Sequence, residues 1–266
     1  MFRKLLPLVL ALLLLCGCGS APSASVVQLP ETLPPETTPP ETTVPLETLL
    51  PITLPPKTQE HTPLFDPDYP TEDVIRYFAE VCLDAEIINS GDPSLLQKWA
   101  DPISYRVFGS PTQEDSAILE NFVRWLNTID GFPDMAEAAE SQPINFRIYF
   151  CTQEEMLNLM GEEFDAMDGA VTFWYDRDQI YDAIVCIRTD LDQHLRNSVI
   201  LEELYNSLGP IQDTSLREDS IIYSGYSEPQ ALTPMDELLL KLLYHPTLRC
   251  GMTKEECDAA IRALYH

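Results

Sequence analysis

The stretch Ile200-Leu201-Glu202-Glu203-Leu204-Tyr205-Asn206-Ser207-Leu208-Gly209 determines how the rest of the chain can be interpreted. At about 100° per residue, its apolar side chains share one side of a helix: Ile200, Leu201, Leu204 and Leu208. Its acidic and amide side chains share the other side: Glu202, Glu203 and Asn206. Gly209-Pro210 ends the helix, because proline cannot continue it. The pattern predicts a helix over 193–208 with one buried face and one polar face.

The polar face has the spacing of the zinc motif H-E-x-x-H-x-x-G. In that motif, imidazoles at positions i and i+4 bind zinc and the Glu activates its water. Here Glu202 stands at the first histidine position, Asn206 at the second, and Glu203 keeps the general-base position. The third ligand of the extended motif falls on Gln212. These side chains offer only oxygens, which suit hard cations rather than hydrolytic zinc.

Downstream segments extend this similarity. The chain has Asp219-Ser220-Ile221-Ile222-Tyr223-Ser224, then Leu232-Thr233-Pro234-Met235-Asp236, then Leu242-Leu243-Tyr244. They resemble the Met-turn and the following helix of metzincin proteases, with Ile222 at the Met position. Residues 200–252 resemble more closely a bacterial lipoprotein family, Domain of Unknown Function 2927, with E-E-x-x-Q-x-L-G, D-S-I-F, L-T-x-x-D, L-Y-D-P-x-L and G-M. The chain departs at Asn206, where that family has Gln, and at His245, where it has Asp.

The resemblance implies a fold but no activity. It implies an α+β, zincin (metzincin)-like fold, in which a mixed sheet packs on an active-site-type helix and C-terminal helices follow. It also implies that Ile222 is buried and that the turn at 220–223 passes beneath Glu202 and Asn206. In a zincin the substrate cleft lies between an edge strand and this helix. That family has no established activity to carry over.

Apolar periodicity and capping residues predict the other elements of the globular part. The predicted helices cover 71–82, 114–129, 193–208, 234–244 and 254–265. The predicted strands cover 103–108, 144–150, 170–175 and 183–187, and a hairpin around Asp176-Arg177-Asp178 joins the last two. Thr233 with Asp236, and Thr253 with Glu256, predict N-terminal caps for the last two helices.

The N-terminus has the features of an exported lipoprotein. Arg3 and Lys4 precede an apolar run over 5–15, which is too short to span a bilayer and is typical of a signal peptide. Gly17-Cys18 resembles the lipobox of bacterial lipoproteins, which implies that Cys18 is lipidated and becomes the mature N-terminus. Acyl chains contribute roughly 0.8 kcal/mol per buried CH₂, so several give stable anchoring. Ordinary secretion with a free Cys18 is the alternative.

A spacer separates this anchor from the globular part. Pro-Pro-Glu-Thr-Thr occurs at 34–38 and again at 39–43, and such a sequence stays extended because it cannot bury a core. At about 3.1 Å per residue, roughly 45 residues reach at most ~140 Å, enough to cross a cell-wall layer. We therefore predict a signal peptide and lipobox over 1–18, a disordered tether over 19–63, and a zincin-like domain over 64–266. The predicted location is the outer face of the cytoplasmic membrane in a Gram-positive envelope.

Charge and cysteine content limit the partners. After residue 62 the chain has 38 acidic and 13 basic residues, a balance that repels phosphate backbones and argues against nucleic acid. High acidity also serves solubility. No cofactor is predicted. The five cysteines after Cys18 could pair outside a cell, with at least one left over, and the sequence leaves their pairing open: Cys82, Cys151, Cys186, Cys250 and Cys257.

These observations lead to one functional prediction and two alternatives. We predict a cell-surface lipoprotein whose metzincin-like domain is catalytically inactive and binds a peptide or envelope protein in its cleft, where a peptide could pair with the edge strand. The first alternative is an atypical metal-dependent peptidase or hydrolase in which Glu203 is the general base. The second is a structural envelope protein without a small ligand.

The lipid anchor is testable by substitution. Cys18→Ser should abolish incorporation of labelled fatty acid and release the protein into the medium or leave it uncleaved. Cys16→Ser is the matched control, because Cys16 lies within the signal peptide, and it should retain both label and membrane association. Labelled lipid in the Cys18→Ser protein contradicts the anchor.

Overall fold

The structure, a computed structural model, describes residues 69–83, 95–209 and 212–265. The predicted signal peptide over 1–18 and tether over 19–63 lie outside the described residues. All described residues belong to one compact unit. Among them, no helix is long and apolar enough to cross a bilayer.

Six helices and a six-stranded sheet make up the described part of the chain. The helices are α1 (Thr71–Cys82), α2 (Gln113–Leu126), α3 (Gln153–Met160), α4 (Gln193–Asn206), α5 (Pro234–Leu243) and α6 (Lys254–Leu264). The strands are β1 (Lys98–Trp99), β2 (Ile103–Gly109), β3 (Met135–Glu137), β4 (Phe146–Cys151), β5 (Gly169–Asp176) and β6 (Gln179–Arg188). A short 3-10 helix, Glu162–Phe164, follows α3.

The sheet is mixed and mostly parallel. Its order is β1-β6-β4-β2-β3, with β5 paired to β6 as well. The pairings β1–β6, β4–β6, β2–β4 and β2–β3 are parallel, and only β5–β6, a hairpin, is antiparallel within the described residues. The predicted mixed sheet is therefore confirmed. The class is mixed α/β rather than the predicted α+β, because parallel neighbours need crossover connections such as α2.

Both faces of the sheet are covered, by cores of unequal size. Alternate residues of β4 (Phe146, Ile148 and Phe150) are buried in the main core with α1, α2, α4 and α5. On the opposite face, Cys151 and Cys186 are buried in a smaller cluster with Met156 of α3. The strict alternation of β4 thus predicts its main-core face correctly. All five cysteines of the globular part are free.

Capping and turn residues predicted most element boundaries correctly or to within a few residues. The predicted capping boxes at Thr233 and Thr253 are both formed. The predicted hairpin is also present: Arg177 and Asp178 both have positive φ, 50° and 63°, as a two-residue hairpin turn requires. Helix α4 ends at Asn206, two residues earlier than predicted, and α2 ends at Leu126 instead of Ile129. Strands β1 and β3 and helix α3 were not predicted.

One buried carboxylate joins the elements around α4. Asp236 at the start of α5 is fully buried. Its Oδ1 accepts hydrogen bonds from the hydroxyls of Ser220 (2.7 Å) and Tyr77 (3.2 Å). Its Oδ2 accepts from the Ile221 amide (3.3 Å) and from both the amide (2.9 Å) and hydroxyl (2.8 Å) of Thr233. A buried charge is tolerated when such donors surround it.

The main chain of the same residue reaches α4. The Tyr205 hydroxyl donates to the Asp236 carbonyl at 3.0 Å. Burial raises the pKa of both Tyr77 and Tyr205, so their hydroxyls stay protonated and remain donors. Asp236 therefore connects α1, the turn at 220–222, α5 and α4.

Removing this carboxylate should strongly destabilise the fold. Asp236→Ala leaves several buried donors without an acceptor, and we expect a loss of at least about 3 kcal/mol in the free energy of unfolding. Glu237→Ala is the matched control on the same helical turn. Its half-exposed ion pair with Lys241 (2.9 Å) predicts a loss below about 1 kcal/mol. Urea unfolding followed by circular dichroism measures both, and equal losses contradict the central role of Asp236.

Candidate functional site

The N-terminal half of α4 is held by a buried ion pair. Arg196 Nε lies 3.0 Å from Asp115 Oδ1 of α2, and both side chains are buried. Arg196 Nη1 also donates to the carbonyls of Thr189 (2.9 Å) and Leu191 (3.1 Å). Because its charge is paired and its N–H groups are bonded, Arg196 fixes α4 against α2 and the end of β6.

The C-terminal end of α4 is held through backbone carbonyls. Trp99 Nε1 donates to the Ser207 carbonyl at 2.9 Å, and the Tyr244 hydroxyl donates to the Leu208 carbonyl at 2.6 Å. The chain that leaves a helix has carbonyls that need partners, and these two side chains supply them for the C-cap Ser207 and for Leu208. Gly209 follows with φ +125°, and a Cβ there would lie 2.6 Å from the Gln97 carbonyl. Glycine is thus required where α4 ends.

Glu203 lies between α4 and the edge strand β5. A Cβ at Gly169, the first residue of β5, would lie 2.8 Å from Glu203 Cγ, 2.9 Å from its Oε1 and 2.5 Å from Val199 Cγ1. Gly169 therefore permits a close approach that any side chain would prevent. Gly169 was not among the predicted site residues, although a glycine at a strand end can indicate such a close approach.

The charge of Glu203 also affects the pKa of a cysteine on β6. A hydrogen bond with Cys151, together with burial, raises the pKa of Cys186, and the Glu203 carboxylate raises it further. Cys186 lies on β6, next to β5. The Glu203 carboxylate thus acts on a thiol of β6 as well as contacting β5 at Gly169.

The other predicted site residues are partly exposed on or after α4. Glu202 and Asn206 are half-buried on α4, whereas the apolar stripe of Leu201, Leu204 and Leu208 is buried as predicted. Asn206 Oδ1 is itself buried and has no hydrogen-bond partner within the described part of the chain. Gln212 is half-buried and follows the undescribed residues 210–211. Ile222 is fully buried, as predicted.

This donor set does not fit zinc. Residues 69–83, 95–209 and 212–265 contain no group of three His, Cys, Asp or Glu side chains placed to hold a metal ion. Glu202, Asn206 and Gln212 supply carboxylate and amide oxygens where zinc in a hydrolytic site takes imidazoles. No reaction step through a metal can be derived from these residues.

Strand β5 has an open edge beside α4. Among the described residues it pairs only with β6. The Arg188 amide donates to the Asp168 carbonyl at 3.2 Å, and this pair lies next to the pair Gly169↔Ile187. Since alternate residues of an antiparallel strand turn their N–H and C=O groups to opposite edges, those of Gly169, Val171 and Phe173 face away from β6. Gly169 is buried and Val171 and Phe173 are half-buried, so the open part of the edge is at Val171 and Phe173.

The candidate site is therefore an open edge and not an enclosed cavity. Two surface cavities lie elsewhere: one of about 200 Å³ beside Tyr105 and Glu120, and one of about 400 Å³ beside Ser104 and Asn145. Neither is lined by residues of α4 or β5. An exposed strand edge can bind an extended chain through main-chain hydrogen bonds.

Comparison with known proteins assigns a family but no activity. The model of the family described as "Protein of unknown function (DUF2927)" matches residues 71–263. The match covers the described helices and strands almost completely. No curated protein matches the chain.

The unpartnered amide of Asn206 gives a test of whether this polar face is idle. Asn206→Ala removes a buried acceptor that has no donor, so the free energy of unfolding should change by less than about 1 kcal/mol. Asn127→Ala is the matched control, because Asn127 makes two hydrogen bonds with the Met135 backbone, both 2.9 Å, and should lose about 1–2 kcal/mol. A loss of several kcal/mol at Asn206 in thermal or urea unfolding contradicts the idle face and indicates that Asn206 belongs to a buried hydrogen-bond network.

Proposed function

The chain belongs to the DUF2927 family, whose description states no function, and we propose that its globular part is a catalytically inactive, metzincin-like module that binds an extended peptide. On this proposal, Cys18 anchors the protein in the membrane and residues 19–63 hold the module away from it. The observation that carries the proposal is the open edge of β5 beside the polar face of α4.

The order of the elements supports a metzincin-like fold. An antiparallel edge strand, β5, precedes the strand that leads into α4. A buried turn at Ser220–Ile222 follows α4 and is bonded to α5 through Asp236. The resemblance implies the same succession of edge strand, motif helix, apolar turn and capped helix. The glycine contact between β5 and α4 supports a cleft at this position.

The side chains of the polar face favour binding over catalysis. Glu203 keeps the position of a general base, but a general base needs an activated water and an electrophile held within reach. Glu202, Asn206 and Gln212 replace the imidazoles that would hold zinc there. The open backbone groups of Val171 and Phe173 need no metal, because they bind a chain by strand pairing.

The enzyme alternative has one observation in its favour. Glu203 lies against Gly169, so a peptide on β5 would pass close to its carboxylate. An atypical metal-dependent peptidase would use Glu203 as the base. The metal content of the protein distinguishes the two functions. We expect less than stoichiometric zinc by atomic absorption, because none of the three ligand positions carries an imidazole. Stoichiometric zinc that a chelator removes, with peptide cleavage lost in Glu203→Gln, supports the peptidase.

Strand pairing is tested by removing one open-edge N–H. Val171→Pro deletes a donor that faces the open edge and spares the ladder to β6, since proline is tolerated where the N–H of an edge strand faces solvent. Val171→Ala keeps the N–H and is the matched control, because Val171 packs partly against the core. Full-length protein in neutral detergent micelles is titrated with fluorescent octapeptides that alternate Val with Thr, Lys or Glu.

We expect at least one octapeptide to bind, and Val171→Pro to weaken its binding about tenfold relative to Val171→Ala, as measured by fluorescence anisotropy. Circular dichroism should show that both variants are folded. If none of the three octapeptides binds the parent protein, or if the two variants bind equally, the peptide-binding module is wrong.

A further inference from the structure

Carboxylates converge at the start of β5. Asp168 directly precedes Gly169, Asp165 lies three residues before Asp168, and Asp190 follows β6. All three act on one guanidinium, that of Arg188. Its Nη2 lies 2.7 Å from Asp190 Oδ2, and its Nη1 lies 3.6 Å from Asp168 Oδ1. The hydrogen bond that Arg188 donates to Asp190 and the charges of Asp190, Asp168 and Asp165 raise the pKa of Arg188. Three negative charges against one positive charge leave a net negative field at this end of the open edge.

Two other elements bring carboxylates to the same place. Glu228, in the loop before α5, lies 3.6 Å from His194 Nε2, two residues after Asp192, the N-cap of α4. The charges of Asp192 and Asp168 both act on the exposed Tyr226. The Tyr226 hydroxyl donates to Glu228, and this bond with the charges of Asp168 and Asp192 raises the pKa of Tyr226. We call Asp168, Asp192 and Glu228 the acidic rim. Because they come from three separate elements, the fold itself assembles the rim.

The acidic rim is only partly neutralised. Within the described ranges, the basic side chains that reach it are Arg188, shared with Asp190, and His194, whose Nε2 lies 3.6 Å from Glu228 Oε2. The rim can therefore accept a further positive charge.

The other end of the hairpin presents aromatic rings. Trp174 and Tyr175 on β5 and Tyr181 on β6 are 39%, 46% and 51% exposed, unusually high fractions for such large rings. Lysine and arginine side chains pack on aromatic faces through their alkyl stems and through cation–π attraction. The open backbone groups of Val171 and Phe173 lie between the rim and these rings along the strand.

We propose that the open edge of β5 binds a basic extended peptide, whose Lys or Arg side chains contact the acidic rim at one end and the exposed aromatic rings at the other. This inference rests on the proposed peptide-binding function and adds the chemistry of the occupant. Strand pairing holds the peptide by its main chain. The acidic rim favours peptides with positively charged side chains, because it attracts positive charges and repels negative ones.

Charge also argues against binding of the chain's own segment 19–62, or of a second copy of the chain, at the β5 edge. The segment 19–62 has five acidic residues and a single basic one, Lys57, and its many prolines lack the N–H that strand pairing uses. A second copy of the chain carries a formal net charge of -27 and is repelled. A basic segment of another protein satisfies both the backbone and the charge of this edge.

The experiment uses isosteric neutralisation of the rim. The test variant is Asp168→Asn/Asp192→Asn/Glu228→Gln. Asparagine is as good an N-cap as aspartate, so the replacement at 192 should preserve α4. The matched control is Glu120→Gln/Glu137→Gln/Glu140→Gln, which removes the same charge from exposed positions near the opposite edge strand, β3. Full-length proteins in neutral detergent are titrated with the Val/Lys, Val/Thr and Val/Glu octapeptides and with a Val/Lys octapeptide whose alternate amides are N-methylated.

We expect the parent protein to bind the Val/Lys peptide at least about tenfold more tightly than the Val/Thr peptide, and the Val/Glu peptide most weakly. The rim variant should lose that preference, and the control should keep it within about twofold. Raising NaCl from 50 to 300 mM should reduce the preference, since exposed charges are screened. The N-methylated peptide should bind at least about tenfold more weakly than the Val/Lys peptide.

The outcomes separate this inference from the proposed function. If the Val/Thr and Val/Lys peptides bind equally and the rim variant is unchanged, strand pairing stands and the basic occupant is wrong. If the N-methylated peptide binds as well as its parent, attraction is electrostatic only, and both proposals are wrong. Loss of the preference in the control variant as much as in the rim variant shows that net charge, not the acidic rim, selects the peptide, and overturns the inference.

Discussion

The buried carboxylate of Asp236 is the constraint on which the arrangement around the site depends. A buried charge must be surrounded by donors, and those of Asp236 come from places far apart in the chain: Tyr77 of α1, Ser220, and Thr233 beside it. Satisfying them brings α1 and the turn at 220–222 to the start of α5, and the Tyr205 hydroxyl adds α4. The polar face of α4 is therefore oriented by a network that contains none of the predicted site residues. This network also explains why D-S-I and L-T-x-x-D occur together in one sequence pattern: Ser220 and Asp236 form one hydrogen bond of 2.7 Å.

How much of the fold could be predicted from the sequence depended on whether the signal was local. The apolar stripe of α1 and the cap at Thr233 lie within one element, and both were predicted correctly. Strand β1 has two residues, and it exists only because it pairs with Gln179 and Ile180 about 80 residues later. The order β6-β4-β2-β3 likewise depends on pairing between strands that are far apart in the sequence. The hydrophobic periodicity of each strand does not predict which strand it pairs with. Asp236 shows both cases in one side chain. Its capping bond to Thr233 follows from spacing, whereas its bond to Tyr77 spans 159 residues.

The same division holds for the candidate site. Helical spacing placed Glu202, Glu203 and Asn206 on one polar face, and the structure places them so. What the spacing could not supply was the strand opposite. Gly169 precedes a run of apolar and aromatic residues and carries no charge or catalytic group, yet it determines how closely β5 approaches Glu203. The acidic rim could not be predicted either, because only the tertiary structure brings together the three elements that carry Asp168, Asp192 and Glu228. Such residues look like ordinary surface acids in a chain with 43 of them.

Replacing the ligand imidazoles changes the electrostatics of the cleft as well as its chemistry. A metal ion brings a concentrated positive charge, which offsets nearby carboxylates and is often the largest local charge in a site. With Glu202 and Asn206 at the ligand positions, the face gains a negative charge at a position where the zinc motif has neutral imidazoles and a cation. Glu203 places a further carboxylate against Gly169, the residue that follows Asp168. On the proposal of a metzincin-like module, these side chains would favour attraction of a basic peptide and its attachment through main-chain hydrogen bonds.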